Sequence, residues 1–318
     1  MAAPGAGKVG AQRYDCHQQP LWDEPTNGYV LTTRTYPGSR AIGLLHTPTW
    51  PTGPAVPQTL TQVEVGDANH QLYSQVRWSA YSLSFSVNFL TELVPCCLQI
   101  TFRFYDIWLG LVMVFDAGPE SPAKVGTVHC RLSWSATGTD GWSWVDKTGE
   151  GKGLTGKVFL PLGPAGSYDS HITFAADAPV IMPATAGGES SIRVYYMGGN
   201  GPHNGPRNTS LGMNTLRMDG FAGVKGYGTF TTRPILVTGR VLQLTADLRT
   251  GSSLGVGVVG AGAAGLGVAD ATPLTATSTD HAVAFKGGKD FSALVGKKVT
   301  LSLVLKDATL YTVSFASK

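Results

Sequence analysis

Apolar residues in this chain recur with a period of two, in short runs broken by Gly, Pro, Asn and Asp. That is the pattern of strands and turns, not of helices. Early runs occupy residues 29–34 and 40–45, and Pro25-Thr26-Asn27-Gly28 supplies a hairpin signal ahead of them. Further runs follow at 109–115, 128–135, 192–197 and 211–217. After Pro234 there is no further Trp, and alternating runs appear at 241–246, 254–259, 282–285, 299–305 and 310–315. Strands at that spacing predict an antiparallel β-sandwich over 234–318.

Before Pro234, three segments share one order of parts. Each opens with an acidic residue beside a short β run, at Asp15, Asp67 and Asp169. An apolar, aromatic-rich strand follows, then a strand of smaller residues ending near a Trp or a turn. Repeating units of this kind predict propeller blades, whose innermost strands line a central channel. The expected fold class is therefore all-β: a partial β-propeller of about three to four blades over 12–233, then the sandwich. Residues 1–11, rich in Ala and Gly, are expected to be a disordered N-terminus.

One stretch breaks the pattern. Residues 79–108 are apolar and irregular, with Phe85, Phe89, Leu90, Cys96, Cys97, Phe102 and Phe104, and they delay the apolar strand of the second unit. Glu92, Pro95 and Arg103 argue against a membrane helix there. The stretch is expected to be an irregular insertion foreign to the fold.

Several motifs resemble a known group. Leu21-Trp22-Asp23-Glu24 ahead of Tyr29-Val30 resembles a first-blade signature. Gly166-Ser167-Tyr168-Asp169-Ser170 is similar to a late-blade opening. Tyr195-Tyr196-Met197-Gly198-Gly199 with His203 and Arg207, then Leu216-Arg217-Met218-Asp219-Gly220-Phe221, look like a final blade. The group is the five-bladed propeller proteins with a C-terminal β-sandwich, in an uncharacterised branch related in layout to invertase-like glycoside hydrolases. The chain lacks the invertase-type Asn-Asp-Pro-Asn-Gly, Arg-Asp-Pro and Glu-Cys motifs. The resemblance implies a propeller truncated by one or two N-terminal blades.

Composition narrows the function classes. Net charge is only +3 and no basic run stands out, which argues against a nucleic-acid surface. Residues 1–10 contain no apolar stretch of signal-peptide type, so the chain reads either as cytoplasmic or as secreted with its true start missing. Cys16, Cys96, Cys97 and Cys130 lack metal-ligand spacing and are expected to be buried thiols. No cofactor, metal or membrane partner is expected. Asn208-Thr209-Ser210 is a glycosylation triplet, of consequence only in a secreted chain.

Glycoside hydrolysis needs two carboxyl groups flanking the scissile bond. The channel candidates are Asp15, Asp67 and Asp169. His70 and His171 lie close to them in sequence and suit sugar hydroxyls or proton transfer. Tyr73, Trp78, Tyr168 and Tyr196 offer apolar faces with polar tips, which suit sugar rings. His203 and Arg207 lie in a loop rich in Gly, Pro and Asn and are expected to clamp a sugar or a carboxylate at the channel mouth. Two readings stay open. One is a glycoside-hydrolase-like protein that binds or hydrolyses carbohydrate through paired carboxylates. The other is a non-catalytic carbohydrate-binding or structural propeller remnant.

Overall fold

The computed structural model describes residues 20–23, 27–35, 41–47, 60–65, 70–72, 76–78, 100–116, 126–137, 142–145, 158–176, 178–184, 188–203, 205–260 and 264–317. Among the described residues the protein is all-β, in mixed sheets of which none is closed. Its compact units are residues 1–180 with 193–214, and residues 181–192 with 215–318.

The first unit begins with β1 (Pro20–Asp23), β2 (Gly28–Thr35), β3 (Ala41–Thr47) and β4 (Leu60–Val65). They form an antiparallel meander in chain order. Asn27, with φ 48°, turns β1 into β2 so that Asp23 pairs with Gly28. Asn tolerates this left-handed conformation better than most residues, so the expected hairpin signal acts here.

The remaining strands are β5 (His70–Leu72), β6 (Val76–Trp78), β7 (Ile100–Phe104), β8 (Ile107–Asp116), β9 (Thr127–Ser135), β10 (Ser143–Trp144), β11 (Val158–Leu160) and β12 (Ile172–Ala175). A short strand, β13 (Val180–Met182), crosses the division between the units. Then come β14 (Ser191–Gly199) and β15 (Thr209–Arg217). One large sheet runs β14-β12-β9-β8-β7-β6, with β10 and β11 on β9, β5 on β8 and β15 on β14. Strands of the second and third repeat segments thus share one sheet.

β8 carries the core. Leu109, Leu111, Val112, Met113, Val114 and Phe115 are all buried, so both faces of this strand are covered. A continuous apolar run fits a central strand, and each such side chain contributes about 1.5–3 kcal/mol on burial. Its partner β9 adds Val128, Cys130 and Leu132, and Cys130 is a buried free thiol, as expected from its context. Burial raises the Cys130 pKa well above the ordinary thiol value, which leaves it unreactive.

The expected irregular stretch 79–108 is regular from residue 100 onward. β7 pairs antiparallel with β8, Phe104 opposite Ile107, and Thr101 and Phe102 are buried. Tyr105, at φ 51°, makes the tight turn between them. Alternating Thr101-Phe102-Arg103-Phe104 satisfies a strand in this sheet, so this part belongs to the fold. Residues 79–99 lie outside the described residues.

The second unit holds β16 (Val224–Thr231), β17 (Ile235–Leu236), β18 (Val241–Val258), β19 (Ser278–Ala282), β20 (Lys298–Val299) and β21 (Leu301–Ala316). One sheet runs β16-β21-β18-β19, and β17 pairs with β20 as a separate ribbon. Residues 224–231, on the propeller side of the boundary expected at Pro234, form β16 and pair with β21. The expected strands 241–246 and 254–259 merge into the long strand β18, which ends at Val258, and residues 301–305 and 310–315 merge into β21, while Val299 belongs to β20. The pairing of the two long strands shifts register between Leu248 and Ser253. Gly251 (φ 84°) and Asp307 (φ 51°) take the left-handed backbone there, and Ser252 Oγ donates to the Asp307 carbonyl at 2.9 Å. A sequence break that reads as a turn is here a bulge.

Leu242, Leu244, Leu254 and Val256 from β18 and Leu301, Leu303 and Leu305 from β21 pack into one core with Val299 of β20. Phe291 is fully buried and meets Phe285 and Phe315 edge-on, with ring centroids 5.7 and 5.2 Å away.

Candidate functional site

Of the expected site residues, Asp15, Asp67 and Tyr73 lie outside the described residues, and His70 is described only as the first residue of β5, paired with Asp116 of β8. The structure places Asp169, His171, Tyr196, His203 and Arg207 in the first unit. It joins Asp169 to Tyr196 directly and uses the other three differently.

Tyr196 is buried because β14 alternates, with Val194, Tyr196 and Gly198 on its covered side. Asp169 sits in the turn before β12, and β12 pairs with β14 through Ile172 opposite Gly199. That register brings the turn over the end of β14. The Tyr196 phenol donates to Asp169 Oδ2 at 2.8 Å, and Ser167 Oγ donates to Asp169 Oδ1 at 2.7 Å. The Tyr168 and Tyr196 hydroxyls lie 2.7 Å apart, and their rings stack with centroids 6.4 Å apart. Both carboxylate oxygens of Asp169 thus accept internal bonds, and the residue is only 8% exposed. Burial, then the bonds to Tyr168 and Asp169, push the Tyr196 pKa far above the ordinary phenol value, so it stays a neutral donor.

Glycines make room for this network. A Cβ on Gly163 would lie 2.0 Å from Asp169 Oδ1, and one on Gly198 would lie 2.8 Å from the Tyr168 ring. On β15, a Cβ on Gly212 would lie 2.3 Å from the Tyr196 ring. Tyr168 therefore rests over bare backbone, and 43% of it is exposed. The result is an aromatic ring at the surface whose hydroxyl is held by the Tyr196 phenol, itself bonded to the buried Asp169 carboxylate.

His171 is half-buried. Its Nδ1 lies 2.9 Å from Ser170 Oγ, and its backbone pairs with Gly199 and Val128. His203 packs its ring edge-on against Phe115 and Phe174, with centroids 5.4 and 6.1 Å away. Arg207 Nη1 donates to the backbone carbonyls of Pro202, His203 and Gly205. Arg207, expected to clamp a sugar or a carboxylate, thus holds carbonyls of its own loop through Nη1. Tyr168 carries the exposed ring. Its signal in the sequence is Gly198, a small residue at a covered position of an alternating strand.

Among the described residues, no group of three or more His, Cys, Asp or Glu is placed to hold a metal ion. No helix among them is long and apolar enough to cross a membrane. Neither a known protein family nor a curated protein matches the sequence.

Proposed function

We propose that this chain is a carbohydrate-binding β protein of the invertase-like layout, which takes a sugar on the Tyr168 ring and does not hydrolyse it at Asp169. The observation that carries this reading is the exposed, anchored ring of Tyr168, 43% accessible while its hydroxyl meets that of Tyr196 at 2.7 Å. An aromatic face fixed before binding suits sugar stacking and lowers the ordering cost of association. Asp169 argues for binding over catalysis. A nucleophile or general acid must reach the substrate, whereas both oxygens of Asp169 accept bonds from Ser167 and Tyr196.

Within this reading, β1–β4 form a blade, supported by their meander order. β5–β12, β14 and β15 correspond to further blades fused edge to edge in one sheet. The second unit is the C-terminal β-sandwich, supported by a four-stranded sheet and a ribbon that contribute to one core.

The test is a glycan array probed with the full chain, repeated with Tyr168→Ala. Binding of at least one glycan is expected, with a loss of tenfold or more in the variant. No bound glycan, or equal binding by Tyr168→Ala, overturns the reading. A parallel screen of chromogenic glycosides is expected to show no turnover. Turnover abolished by Asp169→Asn would replace the binding reading with a hydrolase.

A further inference from the structure

Asn208-Thr209-Ser210 is the one Asn-X-Ser/Thr triplet in the chain. All three residues are exposed, and Asn208 stands immediately before β15. Its backbone is held from both sides. The Asn200 N–H donates to the Asn208 carbonyl at 3.2 Å, and the Asn208 N–H donates to Asn200 Oδ1 at 2.8 Å. These two bonds close the loop 200–208 at its base. No hydrogen bond among the described residues uses the Asn208 side-chain amide, which is left at the surface on a fixed backbone. A second feature begins three residues later. Leu211 and Met213, on one face of β15, are 74% and 46% exposed. Large exposed apolar side chains in a row favour association, and soluble proteins usually cover them.

We propose that Asn208 is an N-glycan acceptor and that its glycan shields the Leu211–Met213 stripe. The co-reactant is an N-acetylhexosamine-headed oligosaccharide on a lipid pyrophosphate. The Asn208 Nδ2 attacks the anomeric carbon of the sugar, and an N–C bond forms as the bond from that carbon to the pyrophosphate oxygen breaks. One Nδ2 proton passes to a base, and the lipid pyrophosphate leaves with the electron pair, so nothing is oxidised or reduced. The Ser210 hydroxyl is the part of the triplet that the transferase reads. Leu211 lies about 10 Å along the strand from the acceptor and, by strand alternation, on the other face, so a branched, hydrated glycan covers it by passing round the β15 backbone, which pairs with β14.

The experiment uses the full chain behind a secretion leader in a eukaryotic cell. The secreted wild type is expected to fall in apparent mass after peptide N-glycosidase, with a carboxylate left at position 208 on mass spectrometry. Asn208→Gln and Ser210→Ala are each expected to lose the shift, and Ser210→Ala does so with the asparagine still present. In light scattering, the wild type is expected to be less associated than Asn208→Gln, and Leu211→Ser in that background is expected to restore the wild-type state. A secreted wild type with no enzyme-sensitive shift overturns the acceptor assignment. Equal association of wild type and Asn208→Gln overturns the shielding role.

Discussion

Tyr196 and Asp169 are 27 residues apart in the chain, yet the phenol of one donates a 2.8 Å bond to the carboxylate of the other. Asp169 is buried and has its second oxygen bonded to Ser167. Replacing one oxygen by an amide NH2 turns an acceptor toward a donor. Asp169→Asn is therefore expected to destabilise the chain by about 1–3 kcal/mol. Denaturant unfolding followed by tyrosine fluorescence measures it, and an unchanged midpoint would show that the network carries no stability.

Gly212 makes the opposite kind of contact with the same ring. A methyl group there would lie 2.3 Å from Tyr196, so the ring or β15 must move. Gly212→Ala is expected to cost about 1–3 kcal/mol through overpacking. It is also expected to loosen Tyr168, whose hydroxyl bonds to Tyr196. Near-ultraviolet circular dichroism checks both effects, since it reports the packing of tyrosine rings.

In the second unit, Arg217 joins three elements. Its guanidinium pairs with Asp247, donates to the Ser278 carbonyl at 3.0 Å and to Thr279 Oγ1 at 2.8 Å, and lies over the Tyr311 ring at 5.1 Å. Tyr311 in turn donates to Asp247 at 2.8 Å. Lysine keeps the charge but lacks the planar fork that reaches several acceptors. Arg217→Lys is expected to lower stability by about 1–3 kcal/mol, with faster hydrogen exchange at β19 than in the wild type. Exchange mass spectrometry resolves that strand from the rest.

Asp280 sets a pH dependence. Loss of water around its carboxyl, and then the Asp219 carboxylate, raise its pKa above the ordinary value. The folded chain holds this proton more tightly than the unfolded chain. Its contribution is therefore present at low pH and falls as pH rises from about 4 through the folded pKa. Asp280→Asn removes the charge and keeps a residue that tolerates the φ of 52° found here. Its Tm is expected to match the wild type near pH 3 and to exceed it near pH 7. Calorimetry across that range decides it, and a constant offset would show that the charge plays no part.

Much of the fold is legible in the sequence because strands declare themselves locally. The unbroken apolar run 109–115 becomes the central strand β8, and the alternation at 192–197 sets which side of β14 is covered. The all-β class follows from that periodicity. Periodicity says which face of a strand is buried but not which strand lies beside it, because pairing joins residues far apart in sequence. The tertiary structure alone decided that the second and third repeat segments share a sheet. It also decided that the breaks at residues 249–252 and 307 are facing bulges within two long strands. The site divides the same way. Asp169 and Tyr196 were recognisable as polar candidates, but only the β12–β14 register turns them toward each other. Arg207 is legible in the sequence as a cation in a loop, but only the folded loop brings three of its own carbonyls to Nη1. A residue's chemistry is written in its side chain, whereas its partner depends on which distant backbone the fold brings within about 3 Å.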